Sequence, residues 1–182
     1  MGHGNSMGYV KNVVLIGFMG TGKTSTGRLL AARLGRPFID VDKELEAENG
    51  MTIAEMFALY GEAHFRHKEA EFISRVSRRH NAIIATGGGV VLNPLNLKHL
   101  ASNSVVISLS ASLDTILERT SRRDTRPLLN RPDRAEFVAK LLDERRELYQ
   151  NAAYIVNTDG ISPQLVVERI IVLLKQGGYI RG

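Results

Sequence analysis

The chain has 182 residues, 43% apolar and 24% charged, a composition suited to one globular domain with a sizeable core. It has no cysteine and no tryptophan, which excludes disulfides, cysteine-ligated zinc and thiol nucleophiles. The net charge is +5, but the arginines are spread along the chain and aromatic residues do not interleave with them; this favours a basic pocket for small anions over a nucleic-acid surface.

Residues 1–8, MGHGNSMG, are small and polar and read as an added leader ahead of a second start at Met7, leaving 9–182 as a single domain. No apolar run reaches the roughly 18 residues of a membrane span, so no membrane partner is expected. VVLIG (13–17) predicts a buried strand. It runs into GFMGTGKT (17–24), which matches G-x-x-x-x-G-K-[ST], and then into a helix-like stretch with Leu29, Leu30 and Leu34. Each part of that motif has a physical use. Gly17, Gly20 and Gly22 let backbone N–H groups approach phosphate oxygens, and the following helix adds a positive N-terminus. Lys23 can reach the β- and γ-phosphates, and Thr24 can offer a hydroxyl to Mg²⁺. No Asn-Lys-x-Asp stretch reads guanine, so a small-molecule kinase using ATP is the leading class.

PFIDVD (37–42) predicts the second strand, with Asp40 and Asp42 on one face at its carboxyl end. The two carboxylates either divide between Mg²⁺ and a substrate hydroxyl or cap a helix starting near Lys43. Residues 43–80 hold extra helical material, with capping-box spacing from Thr52 to Glu55. Within it Arg66 and Glu69 lie one helical turn apart, the spacing of a surface ion pair. AIIATG (82–87) predicts the third strand, and Gly87, Gly88 and Gly89 follow it, either a loose turn or a place where backbone meets a ligand. Asn93-Pro94 and Ser162-Pro163 each look like a helix start. SVVISL (104–109) and AAYIVN (152–157) predict the fourth and fifth strands, and Leu165, Val166, Ile170 and Leu173 mark the apolar face of a last helix. Between them SRRDTRPLLNRPD (121–133) has the composition of a mobile surface loop, and Arg145 stands in ERRELY. Strands alternating with helices predict an α/β fold with a parallel sheet. Several arginines around one pocket would imply an anionic acceptor.

In this order GFMGTGKTSTG, GRPFIDVD, TIAEMFALYGEAHFR, ATGGG, RPLL and the arginine ahead of LY resemble the shikimate kinase family, over nearly the whole chain from about Lys11 to Val172. The resemblance implies a three-layer P-loop kinase fold similar to the nucleoside monophosphate kinases. Its parts would be a five-stranded parallel sheet, a helical substrate-binding subdomain at about 41–80 and a lid at about 121–133. It implies ATP-dependent phosphorylation of the 3-hydroxyl of shikimate, with Mg²⁺, in a cytoplasmic monomer. ATP would be held by Gly17, Gly20, Thr21, Gly22, Lys23, Thr24 and Ser25, with Arg119 near the adenine and Arg126 on the transferred phosphate. Asp42 would bind the reacting hydroxyl, and Asp40 would act on Mg²⁺ through a water, together with Thr24. Arg66 and Arg145 would clamp the carboxylate, with Glu69 holding Arg66. Phe57 and Phe65 would line the ring, and Gly88, between Gly87 and Gly89, would meet the substrate through its backbone.

The sequence departs from the family in places. Glu147 stands where such chains often have proline, and Arg146 adjoins Arg145; counting back from Leu148-Tyr149 favours Arg145 as the clamp. Arg122, Arg123 and Asp124 have no assigned role. Two other readings are a kinase for gluconate or another sugar acid, and a ligand-sensing relative without turnover. The triple glycine and FIDVD argue against the first; intact Lys23, Thr24 and Asp42 argue against the second.

Overall fold

The computed structural model describes residues 10–122 and 131–181. The apolar run after Lys11 forms β1 (Asn12–Gly17), buried along its whole length. Full burial explains why it reads as a continuous apolar run rather than an alternation. Val13 and Leu15 pack on one face of the sheet with Leu30, Ile107, Val167 and Ile170. Val14 and Ile16 pack on the other with Val41, Met56, Ile73 and Val90.

The other strands are β2 (Phe38–Asp40), β3 (Ile83–Ala85), β4 (Ser104–Ser110) and β5 (Tyr154–Asn157). The sheet order is β2-β3-β1-β4-β5, with every pairing parallel. Registers Asp40↔Ala85, Leu15↔Ala85 and Gly17↔Leu109 bring the carboxyl ends of the strands to one edge. Chain direction across the sheet reverses at β1, so its end is the switch point where open α/β sheets bind ligands.

Helices α1 (Lys23–Leu34) and α8 (Pro163–Gln176) supply the core of the first face through Leu30, Val166, Val167 and Ile170. The second face is covered by α2 (Val41–Asn49), α3 (Ile53–Tyr60), α4 (Glu62–Val76) and α5 (Pro94–Ser102). It also takes Ile116 from α6 (Leu113–Ser121) and Val138 from α7 (Arg134–Arg145).

The helix starts follow the local chemistry. Thr52 and Glu55 form a complete capping box. Asn93 and Ser162 accept hydrogen bonds from the N–H groups of Leu95 and Leu165, each ahead of a proline in the first turn.

Some expectations are corrected. The second strand stops at Asp40 rather than 42, because the Asp40 carboxylate accepts the Lys43 N–H (3.2 Å) and starts α2 there. Asp42 therefore lies in the first turn of a helix, not on a strand. The third strand ends at Ala85, ahead of the glycines. Leu165 is exposed, so the apolar face of α8 runs through Val166, Val167, Ile170 and Leu174 instead. Of the segment 121–133, residues 123–130, including Arg123, Asp124 and Arg126, lie outside the described residues.

Candidate active site

The loop after β1 curls over itself before α1. Gly20 and Gly22 adopt φ of 79° and 94°, a region closed to most side chains, and Gly22 forms the N-cap of α1 without a side chain in the way. The Thr21 hydroxyl donates to the Phe18 carbonyl (2.8 Å), which closes the turn. Lys23 begins the helix, yet its ammonium folds back to donate to the carbonyls of Gly17 (2.8 Å) and Phe18 (3.0 Å). This holds a positive charge over the cradle where a phosphate chain would lie. Ser25 is half-buried in the same helical turn.

The Thr24 hydroxyl donates to Asp40 Oδ2 (3.2 Å), joining the first turn of α1 to the end of β2. Asp40 therefore caps α2, one of the two roles read from sequence, and its other carboxylate oxygen lies beside the P-loop. Among the described residues no cluster of three or more acidic or histidine side chains forms a metal cage. A hydroxyl and one carboxylate, both hard oxygen donors, fit Mg²⁺, which is commonly held by one or two carboxylates plus substrate phosphates.

Across the cradle, three successive glycines lie against the functional side chains. A Cβ on Gly87 would fall 2.7 Å from Asp42 Oδ1, and one on Gly88 would lie 3.4 Å from the Met19 nitrogen. One on Gly89 would overlap the Arg66 guanidinium. The triple glycine is therefore a site of close packing, with Asp42 and Arg66 on one side and the P-loop backbone on the other.

Arg66 donates to Glu69 Oε1 (3.0 Å) and more weakly to Glu62 (3.4 Å), and its guanidinium stacks 5.1 Å above the Phe65 ring. Phe65 packs on Phe57 with ring centroids 5.0 Å apart. Glu69 is only 1% exposed, whereas Arg66 is 24% exposed, so a buried carboxylate anchors a partly exposed guanidinium. Burial pushes the Glu69 carboxyl above its ordinary range. The charge and hydrogen bond of Arg66 oppose that shift, the charge of Asp42 adds to it, and the charge of Arg145 opposes it. These four side chains share one electrostatic neighbourhood, although they come from α2, α4 and α7.

The geometry separates the two candidate arginines at the end of α7. Arg145 is half-buried, and its charge is felt by both Glu69 and Tyr149. Arg146 is 64% exposed, at 4.0 Å from Asp143. On the opposite side of the P-loop, Arg119 donates to the Gly20 carbonyl (3.2 Å), the Thr158 hydroxyl (2.9 Å) and the Thr158 carbonyl (2.8 Å). It braces the loop from the adenine-expected side.

Sequence reasoning missed two residues. Thr158 is buried, and its hydroxyl donates toward the carbonyls of Thr21 (3.2 Å) and Ser110 (3.1 Å), tying the P-loop to the end of β4. Its sequence neighbourhood, VNTDG, carries only a turn signal. The Tyr149 hydroxyl donates to the Gly88 carbonyl (2.6 Å). The tyrosine had served only as a landmark for locating Arg145.

The shikimate kinase family pattern matches residues 19–175. A shikimate kinase of Pelotomaculum thermopropionicum is 46% identical over 171 residues, covering 94% of this chain and 99% of that one. A shikimate kinase structure from Acinetobacter baumannii, in complex with shikimate, superposes with a TM-score of 0.88 at 34% identity, over 92% of this chain and 94% of that one. A gluconokinase from Sinorhizobium meliloti 1021 gives a TM-score of 0.61 at 16% identity, covering 92% of this chain and 93% of that one, a likeness of fold alone. The match spans the P-loop, the glycine turn and both arginine segments, so the chain belongs to the shikimate kinase family.

Proposed function

We infer that this chain transfers the γ-phosphoryl group of ATP to the 3-hydroxyl of shikimate, giving shikimate 3-phosphate and ADP on the route to chorismate and the aromatic amino acids. The observation that carries the reading is the meeting of Asp42, Arg66 and Gly87–Gly89 against the P-loop backbone, with Arg145 in the same electrostatic neighbourhood. A hydroxyl binder, a carboxylate binder and a phosphate cradle on one cavity match an acid that bears ring hydroxyls. The helices within 41–80 act as the acceptor subdomain, and 121–133 as the lid.

Phosphoryl transfer passes through a loose, charge-spread transition state in most analyses, so the protein mainly positions reactants and stabilises charge. Lys23 and the loop amides hold the β- and γ-phosphates, assisted by Gly17, Gly20, Thr21, Gly22 and Ser25. Arg126, outside the described residues, is assigned to the transferred phosphate, and Arg119 to the adenine end. Asp42 orients the acceptor hydroxyl and takes its proton late. Arg66, braced by Glu69, and Arg145 grip the carboxylate, while Phe57 and Phe65 flank the ring. Thr24 and Asp40 would hold Mg²⁺, which would supply neutralising charge for the phosphates. Exclusion of water from the filled site would keep it from competing as acceptor.

The partners in this reading are small molecules. Among the described residues no helix is long and apolar enough to cross a membrane. Several surface arginines are already ion-paired, including Arg75 with Glu48 and Arg33 with Glu168, which leaves less positive surface for nucleic acid. A cytoplasmic monomer completes the proposal; a sedimentation mass of twice the chain's would overturn that last element. The test of the function is an ATP-dependent phosphorylation assay with shikimate, gluconate and no acceptor. Phosphorylation of shikimate alone is expected. Turnover of gluconate without shikimate would replace this assignment with a sugar-acid kinase.

A further inference from the structure

Tyr149 lies in a short 3-10 turn, Leu148–Gln150, just beyond the end of α7. It is 7% exposed, and its ring meets Phe18 of the P-loop edge-on, with centroids 6.4 Å apart. Its hydroxyl donates to the Gly88 carbonyl at 2.6 Å. Gly88 in turn packs on the P-loop backbone at Met19 and Gly17, while its neighbours Gly87 and Gly89 abut Asp42 and Arg66. One phenol therefore touches the turn on which the acceptor-side groups converge.

The peptide after Gly88 is planar and trans, so fixing its carbonyl fixes the Gly89 N–H in the opposite direction, away from Tyr149. A three-glycine turn has few side-chain contacts of its own to set that orientation. The hydrogen bond from Tyr149 supplies one from a distant element. Burial also raises the Tyr149 pKa, against the charge of nearby Arg145, so the phenol keeps its donor proton at neutral pH.

We propose that Tyr149 is a positioning residue for the acceptor: its O–H holds the Gly88 carbonyl, sets the triple-glycine turn for shikimate, and links that turn to the Arg145 end of α7. This rests on the shikimate reading above. Phenylalanine at 149 keeps the ring against Phe18 and removes the hydroxyl, and with it both the bond to the Gly88 carbonyl and the interaction with Arg145. Tyr149→Phe is expected to raise the shikimate KM, and the shikimate Kd measured without nucleotide, by roughly tenfold, the scale of one lost buried hydrogen bond. The ATP KM should stay within about twofold, since the Lys23 contacts with the loop do not involve Tyr149. Leu142→Ala on α7 serves as the control for general loosening, because Leu142 packs at the rim of the same core. It should lower Tm without separating the two KM values. Tyr149→Phe with an unchanged shikimate KM and Kd would overturn the proposal. So would a joint rise in both KM values that merely tracks lost Tm, as in the control. A wild-type protein that phosphorylates gluconate and not shikimate would strike the underlying reading first, and this inference with it.

Discussion

At the scale of single residues, Glu69 is where burial and charge compete most directly. Its carboxylate is sequestered, its main partner is the half-exposed Arg66, and burial outweighs that attraction, so its pKa is raised above the ordinary 4.5. A carboxyl with a raised folded pKa stabilises the protein in its protonated form. That contribution is fully present below the unfolded value and is lost as pH rises through the folded one. Glu69→Gln keeps the shape and one acceptor for Arg66 but cannot ionise. The wild-type protein should therefore lose stability relative to Glu69→Gln as pH rises above about 4.5, with the gap levelling off beyond the raised pKa. Urea unfolding of both proteins from acid to neutral pH measures this. A gap that widens in favour of the wild type would mean that the Arg66 attraction wins over burial. With the expected outcome, the ionised carboxylate serves to hold Arg66 and not to stabilise the fold, in keeping with a buried ion pair being weak evidence of net stabilisation.

At the scale of elements, the glycine turn after β3 makes a sharper claim. None of its glycines has positive φ, so Gly87 and Gly89 are required by space and not by backbone conformation. Gly89→Ala would push the Arg66 guanidinium, the far end of a flexible chain, and leave the fold intact. Gly87→Ala would instead press on Asp42. Gly89→Ala should mainly raise the shikimate KM, and Gly87→Ala should mainly lower kcat. A displacement near 1 Å can cost about 100-fold, so either effect should be large enough to resolve. Steady-state kinetics with ATP saturating separates them; identical profiles for the two variants would dissolve the distinction between hydroxyl and carboxylate binding.

The sequence left this turn as either loose or a place where backbone meets a ligand. It did not show what approaches, since Asp42 and Arg66 arrive from helices whose packing depends on tertiary contacts. The misplacement of Asp42 on a strand has a similar cause. FIDVD fits a strand by propensity, but a carboxylate at position 40 can cap a helix, and that local hydrogen bond ended the strand two residues early.

At the scale of the whole molecule, the five strands and the P-loop were legible because buried strands and phosphate-binding loops impose strict local patterns. The pairing of Arg66 with Arg145 came only through the family resemblance, because the two lie far apart in the chain; the structure shows both charges acting on Glu69. In the proposed function, that arrangement gives a nucleotide half, at the end of β1, and an acceptor half, built by α2, α4 and α7. The two halves should respond to substitution separately. Arg145→Ala should leave ATP binding nearly intact and lower kcat/KM for shikimate at least roughly 30-fold, given a cost of about 2–5 kcal/mol for losing one partner of a desolvated charge pair. Lys23→Ala should instead cripple turnover while shikimate still binds. Thermal shifts read the same division without catalysis, because a ligand at 100 times its Kd stabilises the native state by about 2.7 kcal/mol. Arg145→Ala should lose most of the shift given by shikimate and keep the shift given by ATP. If it kept the first and lost the second, the guanidinium at 145 would belong to the nucleotide half, and the acceptor's carboxylate would need another clamp.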